Sequence, residues 1–169
     1  MENVILVNKK DKKTGIEEKI KAHREGKLHR SFSIFIFNKK GELLIQKRAR
    51  SKYHSGGLWS NTCCSHPRSN ENVAKAAKRR LKEEMGIDCK LKKVFKLIYK
   101  AKVGDLIEYE FDHVFVGKFD GKPKPNKKEV EEWKWISLEE LKKDIKENPQ
   151  KYTEWFKIIL PKLIKKLKL

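Results

Sequence analysis

The sequence predicts a mixed α/β (α+β) domain with a mixed central sheet, and three observations carry that expectation. Runs of β-branched and aromatic residues alternate along the chain with stretches of helical periodicity. At 169 residues the chain suits one domain, 1–169, with a core of useful size. No internal repeat and no linker rich in Gly, Ser and Pro divides it.

In chain order, Val4-Ile-Leu-Val7 reads as a short strand. Ser31 to Phe37 (SFSIFIF), the turn Asn38-Lys-Lys-Gly41 and the run Glu42 to Gln46 together predict a hairpin. Ser55-Gly-Gly57 breaks the pattern before Leu58 to His66. Residues 71–86 have Val73, Ala77 and Leu81 at i, i+4 and i+8, which predicts a helix ending at Gly86. Cys89 to Tyr99 and Ile107 to Val116 read as strands, and Pro123 and Pro125 mark a loop. Glu132 to Ile136 predicts a short strand, after which Ser137 caps a helix to about Glu147. The tail, 152–169, is expected to be a basic amphipathic helix.

Composition sets limits more than it assigns a role. The 42 Lys+Arg against 23 Asp+Glu give a formal charge of +19, which attracts phosphates of any kind. The basic residues are mostly Lys interleaved with Glu. No RNP-like aromatic motif, zinc-finger spacing or Arg-rich arm accompanies them, so no specific nucleic-acid partner is expected. No run approaches the roughly 18 apolar residues of a membrane span. The N-terminus lacks the layout of a signal peptide. Cys63, Cys64 and Cys89 are odd in number and two are adjacent, which is poor disulfide material and suits a reducing, cytoplasmic location.

Four constellations could carry chemistry. In Trp59-Ser-Asn-Thr-Cys-Cys-Ser-His66-Pro67, an extended backbone would project Cys64 and His66 from one face. A thiol beside an imidazole serves equally as a metal site, a nucleophile with its base, or an acid-base pair; the pair also reads as a buried small side chain beside a loop histidine. Glu108-Tyr109-Glu110 puts two carboxylates on one face of a strand, where they repel unless a cation or a proton intervenes. A solvent-facing strand edge would look the same. His23 and His29 precede the first long strand; with His66, Glu108 and Glu110 they form a nitrogen and oxygen set suited to Zn²⁺, Mn²⁺ or Mg²⁺. Finally, Arg79-Arg-Leu-Lys-Glu-Glu-Met-Gly86 ends a helix on two carboxylates, which the helix dipole disfavours there. They either pair with Arg79 and Arg80 at i, i+4 or hold a cation.

Arg79-x-x-x-Glu-Glu-x-Gly86, with Glu71 ahead of it, resembles the second half of a Nudix box. Arg80 stands where the hydrolase pattern has a glutamate and Ser65 where it has its leading glycine. These departures, with Asn61-Thr-Cys-Cys-Ser-His-Pro67 and the upstream histidines, are similar to type 1 isopentenyl-diphosphate isomerases from about Val4 to the Trp155 region. The resemblance implies a Nudix-type α-β-α sandwich and the interconversion of isopentenyl and dimethylallyl diphosphate in isoprenoid biosynthesis. It implies Cys64 and Glu110 as the catalytic pair, assisted by Tyr99. It gives His23, His29, His66, Glu108 and Glu110 as ligands of a tightly bound divalent metal, Zn²⁺, Mn²⁺ or Mg²⁺. Glu84 matches the carboxylate associated with Mg²⁺ at the substrate diphosphate. Lys19, Arg48, Lys52 and Arg80 match basic positions around that diphosphate, and Trp155 supplies an aromatic face near the reacting carbons. No flavin is implied, and a monomer is favoured.

Two other readings stay open at this level. A Nudix hydrolase of a nucleoside or other diphosphate shares the box, but has no need of Cys64 and would want a glutamate at 80. A basic module binding RNA or a membrane surface would use the Lys-rich tail from Pro161 to Leu169; deleting that tail would separate it from an isomerase, provided the tail does not pack on the core.

Overall fold

The computed structural model describes residues 2–169, and its organising element is the strand β3 (His29–Phe37). β1 (Asn3–Val7) and β2 (Lys13–Glu18) form an antiparallel hairpin, and β1 meets β3 at Leu6↔His29. Between them α1 (Lys19–Arg24) is capped by the Glu18 carboxylate, which accepts from the backbone N–H of Ile20 and Lys21. β4 (Leu43–Arg48), β5 (Trp59–Ser60) and β6 (Cys63–Ser65) follow, then α2 (Val73–Met85). β7 (Leu91–Val103) and β8 (Leu106–Lys118) make a long antiparallel hairpin, and β8 runs parallel to β3 from His29↔Glu110 to Phe37↔Lys118. β9 (Val130–Ile136), α3 (Leu138–Glu147) and α4 (Glu154–Leu167) complete the chain.

Alternation along β3 divides the core into two layers. Phe32, Ile34 and Ile36 face α2 with Ala77, Leu81 and Met85, while Phe35 faces α4 with Phe156, Ile159 and Leu160. The mixed sheet thus lies between α2 on one side and α3 with α4 on the other, a sandwich of the predicted kind.

Two expectations need correction. β3 and β4 meet only at Phe37↔Leu43 instead of pairing as a hairpin. Thr62 divides them: its hydroxyl accepts from Ile36 N and donates to Leu44 O, at 3.0 and 2.6 Å. β5 then pairs with β4 and β6 with β3, so the segment 59–65 is inserted where the two strands part. The tail helix begins at Glu154 rather than Tyr152, and it is a core element as well as a basic one. β2 and α1, which carry little sequence pattern, went unforeseen in the region around Lys19 and His23.

Candidate active site

The splitting of β3 from β4 places Cys64 on one flank of β3, and the parallel pairing of β8 places Glu110 on the other. Both line a cavity of about 590 Å³, along with Lys19, Arg48, Lys52, Tyr99, Arg80 and Trp155. His66, Glu84 and Glu108 reach the same cavity.

Behind it, the histidines are aimed by their backbone. His23 on α1 donates from Nδ1 to Lys19 O at 2.7 Å, and His29 donates from Nδ1 to Lys27 O at 2.8 Å. A carbonyl only accepts, so each ring presents the lone pair of Nε2 inward. Both rings are fully buried, and neither Nε2 has a hydrogen-bond partner among the described residues. His23 Nε2 lies 3.4 Å from Glu108 Oε2, and His29 Nε2 lies 3.4 Å from Glu110 Oε1. His66 Nε2 is 2.9 Å from the same Glu110 oxygen. One donor atom from each of His23, His29, His66 and Glu110 falls within 4.8 Å of every other. Inward-facing, unpartnered imidazole nitrogens beside carboxylates are what a divalent metal needs, and the group fits such an ion.

Burial raises the Glu110 carboxyl, but the His29 and His66 rings beside it outweigh that and hold the group well below the usual range. Burial brings His66 down to about 4 against the pull of Glu110, which leaves the imidazole neutral at pH 7. Tyr99 Oη donates to Glu110 Oε2 at 2.5 Å. Burial pushes the Cys64 thiol up to about 12, with Glu84, Glu110 and Glu108 adding to it and Arg48 opposing, so the sulfur keeps its proton at neutral pH.

On the side of the cavity lined by Arg80, Lys52 and Lys19 the basic groups already have acidic partners. Arg80 donates to Glu84 Oε1 at 2.5 Å, to Glu83 at 2.8 Å and to Glu129 at 3.4 Å. Gln46 also donates to Glu84, at 3.1 Å, so that buried carboxylate is fully partnered. Lys52 pairs with Glu129 and Lys19 with Glu2. Trp155 is fixed by a hydrogen bond from its Nε1 to Ser60 Oγ at 3.0 Å, with the Arg48 guanidinium 5.1 Å from its ring.

Every site residue named from the sequence therefore reaches this one region. Two were missed. His54, in the loop between β4 and β5, reaches Glu108 with Nε2 2.5 Å from Oε1; a lone loop histidine carries no periodicity to betray it. Asp112 is fully buried beside Ser31, which donates to it at 3.1 Å; it continues the period of Glu108 and Glu110 on β8 and could have been read from that spacing.

The NUDIX domain family matches residues 27–156. The chain is 53% identical over 164 residues to isopentenyl-diphosphate Delta-isomerase 2 of Aromatoleum aromaticum, covering 96% of this chain and 87% of that protein. It is 50% identical to isopentenyl-diphosphate Delta-isomerase of Serratia proteamaculans, covering 96% and 91%. Among solved structures, it is similar to DR0079 from Deinococcus radiodurans, with a TM-score of 0.74, 20% identity and coverage of 87% and 90%. At that identity the likeness concerns the fold.

Proposed function

The chain belongs to the isopentenyl-diphosphate Delta-isomerases within the Nudix family, and from that premise we infer that it interconverts isopentenyl and dimethylallyl diphosphate, an exchange serving isoprenoid biosynthesis. The observation that carries the reading is the placement of a protonated thiol and a carboxylate on strands flanking β3, both opening into one cavity with basic groups. Moving a double bond requires a proton to be added at one carbon and removed at another, so an acid and a base on separate walls suit it. Cys64 and Glu110 fill these roles.

Tyr99 assists by holding the Glu110 carboxyl at Oε2. His23, His29, His66, Glu108 and Glu110 would hold a divalent ion, whose charge, when bound, fixes the Glu110 geometry and tunes its acidity. The nitrogen-rich set favours Zn²⁺ or Mn²⁺ over Mg²⁺ there. Glu84 would help to hold a separate Mg²⁺ accompanying the substrate diphosphate, sharing its oxygens with Arg80 and Gln46. Lys19, Arg48, Lys52 and Arg80 hold the diphosphate, which does not react and serves as the handle. The Trp155 ring faces the cationic carbon that protonation creates, where its quadrupole stabilises positive charge. Water must be kept from the reacting carbons, since it would trap the cation. A hydrolase is less well served, because Arg80 stands in place of a box glutamate and engages Glu84.

The test is incubation with isopentenyl diphosphate and Mg²⁺ in D₂O, followed by NMR. Deuterium entering a methyl group of dimethylallyl diphosphate is expected; phosphate release without isomer would instead support the hydrolase. Cys64→Ser is expected to lower kcat by at least about 100-fold, as loss of a proton-transfer group does, while the metal content stays normal. Unchanged turnover would remove the thiol from the mechanism.

A further inference from the structure

His54 is the histidine that the assignment above leaves without a task. It stands in the loop between β4 and β5, yet its side chain is only 6% exposed. Its ring packs edge-on to Trp155 at 5.5 Å between centroids and to Tyr53 at 4.1 Å, which fixes its direction. Nδ1 has Ser55 Oγ at 3.3 Å. Nε2 points inward and lies 2.5 Å from Glu108 Oε1, paired with that carboxylate. This is the condition of His23 and His29: a buried ring whose Nε2 faces a carboxylate that also belongs to the metal group.

His54, His23 and Glu108 form a second cluster whose donor atoms all lie within 4.8 Å. The two clusters share His23. That residue has one lone pair to give, since its Nδ1 is engaged by Lys19 O. Two separate ions could not both be held through it. The simplest account joins the clusters into one site.

We propose that His54 is a further ligand of the ion held by the His/Glu group, giving a six-donor site of His23, His29, His54, His66, Glu108 and Glu110. The proposal rests on the reading of that group as a divalent metal site. Four imidazoles shift the preference toward later first-row metals and away from Mg²⁺. The ligand also ties a loop to the ion. Arg48 Nη2 donates to His54 O at 3.3 Å and Lys52 lies two residues earlier, so an ion drawing on His54 holds the basic residues of the diphosphate side in place.

The test loads chelator-stripped protein with Co²⁺ and counts the paramagnetically shifted, exchangeable imidazole N–H resonances by proton NMR. His54→Ala is expected to lose one such resonance relative to the unaltered chain, and to bind Co²⁺ about 100-fold more weakly, the upper end of what loss of a group supporting a metal site costs. His54→Gln keeps a hydrogen-bond donor toward Glu108 but not the imidazole. If His54 ligates the ion, Gln restores neither the resonance nor the affinity. An unchanged set of resonances in His54→Ala, or full recovery of affinity in His54→Gln, overturns the proposal and leaves His54 as a hydrogen-bond partner of Glu108. Failure of the unaltered chain to bind Co²⁺ would overturn the metal reading itself. Because His54 sits in a loop outside both core layers, the variants should fold, which circular dichroism checks.

Discussion

Tyr99 and Glu110 face each other across the β7–β8 ladder, and their register, Tyr99↔Glu110, makes the 2.5 Å hydrogen bond a consequence of strand pairing. Tyr99→Phe removes that bond with little change in volume. A bond to a charged group contributes roughly 1.5 kcal/mol or more, so kcat should fall by about ten-fold or more with KM and bound metal nearly unchanged. Steady-state kinetics with metal analysis checks this, and an unaltered kcat would show that Glu110 needs no such positioning. The pattern Glu-x-Glu was legible because period two fixes which face a strand residue takes. That both carboxylates face imidazoles was not, since His23, His29 and His66 arrive from α1, β3 and the segment after β6. A tool as simple as spacing does not see convergence, and His54 was lost for the same reason.

At the level of elements, α2 is anchored at both ends by residues outside it. Glu71 accepts a fork from Arg79, with Nε and Nη2 each at 2.7 Å. That pairing, opposed by partial burial, holds the Glu71 carboxyl below its ordinary value. The unfolded chain therefore binds the proton more readily, so the pair's stabilisation is present above the ordinary carboxylate range and is lost as pH falls through it. Glu71→Gln should cost on the order of 1 kcal/mol at pH 7, as good bidentate pairs do, and this difference should shrink at pH 3. Urea midpoints of both proteins at the two pH values measure it, and an equal gap at both would deny the ion pair its role. At the other end Gly86 is left-handed at φ +66, and an added Cβ would sit 2.6 Å from Lys124 O. Gly86→Ala should destabilise by about 2–4 kcal/mol, combining the left-handed penalty with a backbone clash; a smaller loss by urea unfolding would mean that the 123–125 loop yields. Gly86 was readable as a helix stop because glycine punctuates locally. The parting of β3 from β4 was not readable, because it depends on Thr62 arriving from elsewhere in the chain.

For the whole molecule, the C-terminal helix decides between a catalyst and a basic docking module. Charge and periodicity predicted an amphipathic helix there, yet neither says whether its apolar side meets the core or a partner. Trp155, Phe156, Ile159, Leu160 and Leu163 are all buried against the sheet, and Trp155 also reaches the cavity. At roughly 2 kcal/mol for each large side chain, removing α4 would cost on the order of 10 kcal/mol, comparable with the entire stability of a domain. Truncation before Glu154 should therefore abolish cooperative unfolding as well as turnover, and that loss says nothing about a partner for the tail. Charge removal is the cleaner experiment, because Lys165, Lys166 and Lys168 are exposed on the far side of the helix. Converting all three to Gln should leave the melting temperature and the rate of isomer formation close to those of the unaltered chain. On the proposed reading the diphosphate is held instead by the cations that line the cavity, Lys19, Arg48, Lys52 and Arg80. A fall in kcat/KM for the triple Gln variant, with its melting temperature intact, would show that the tail's charge recruits substrate and would return the Lys-rich surface to the mechanism.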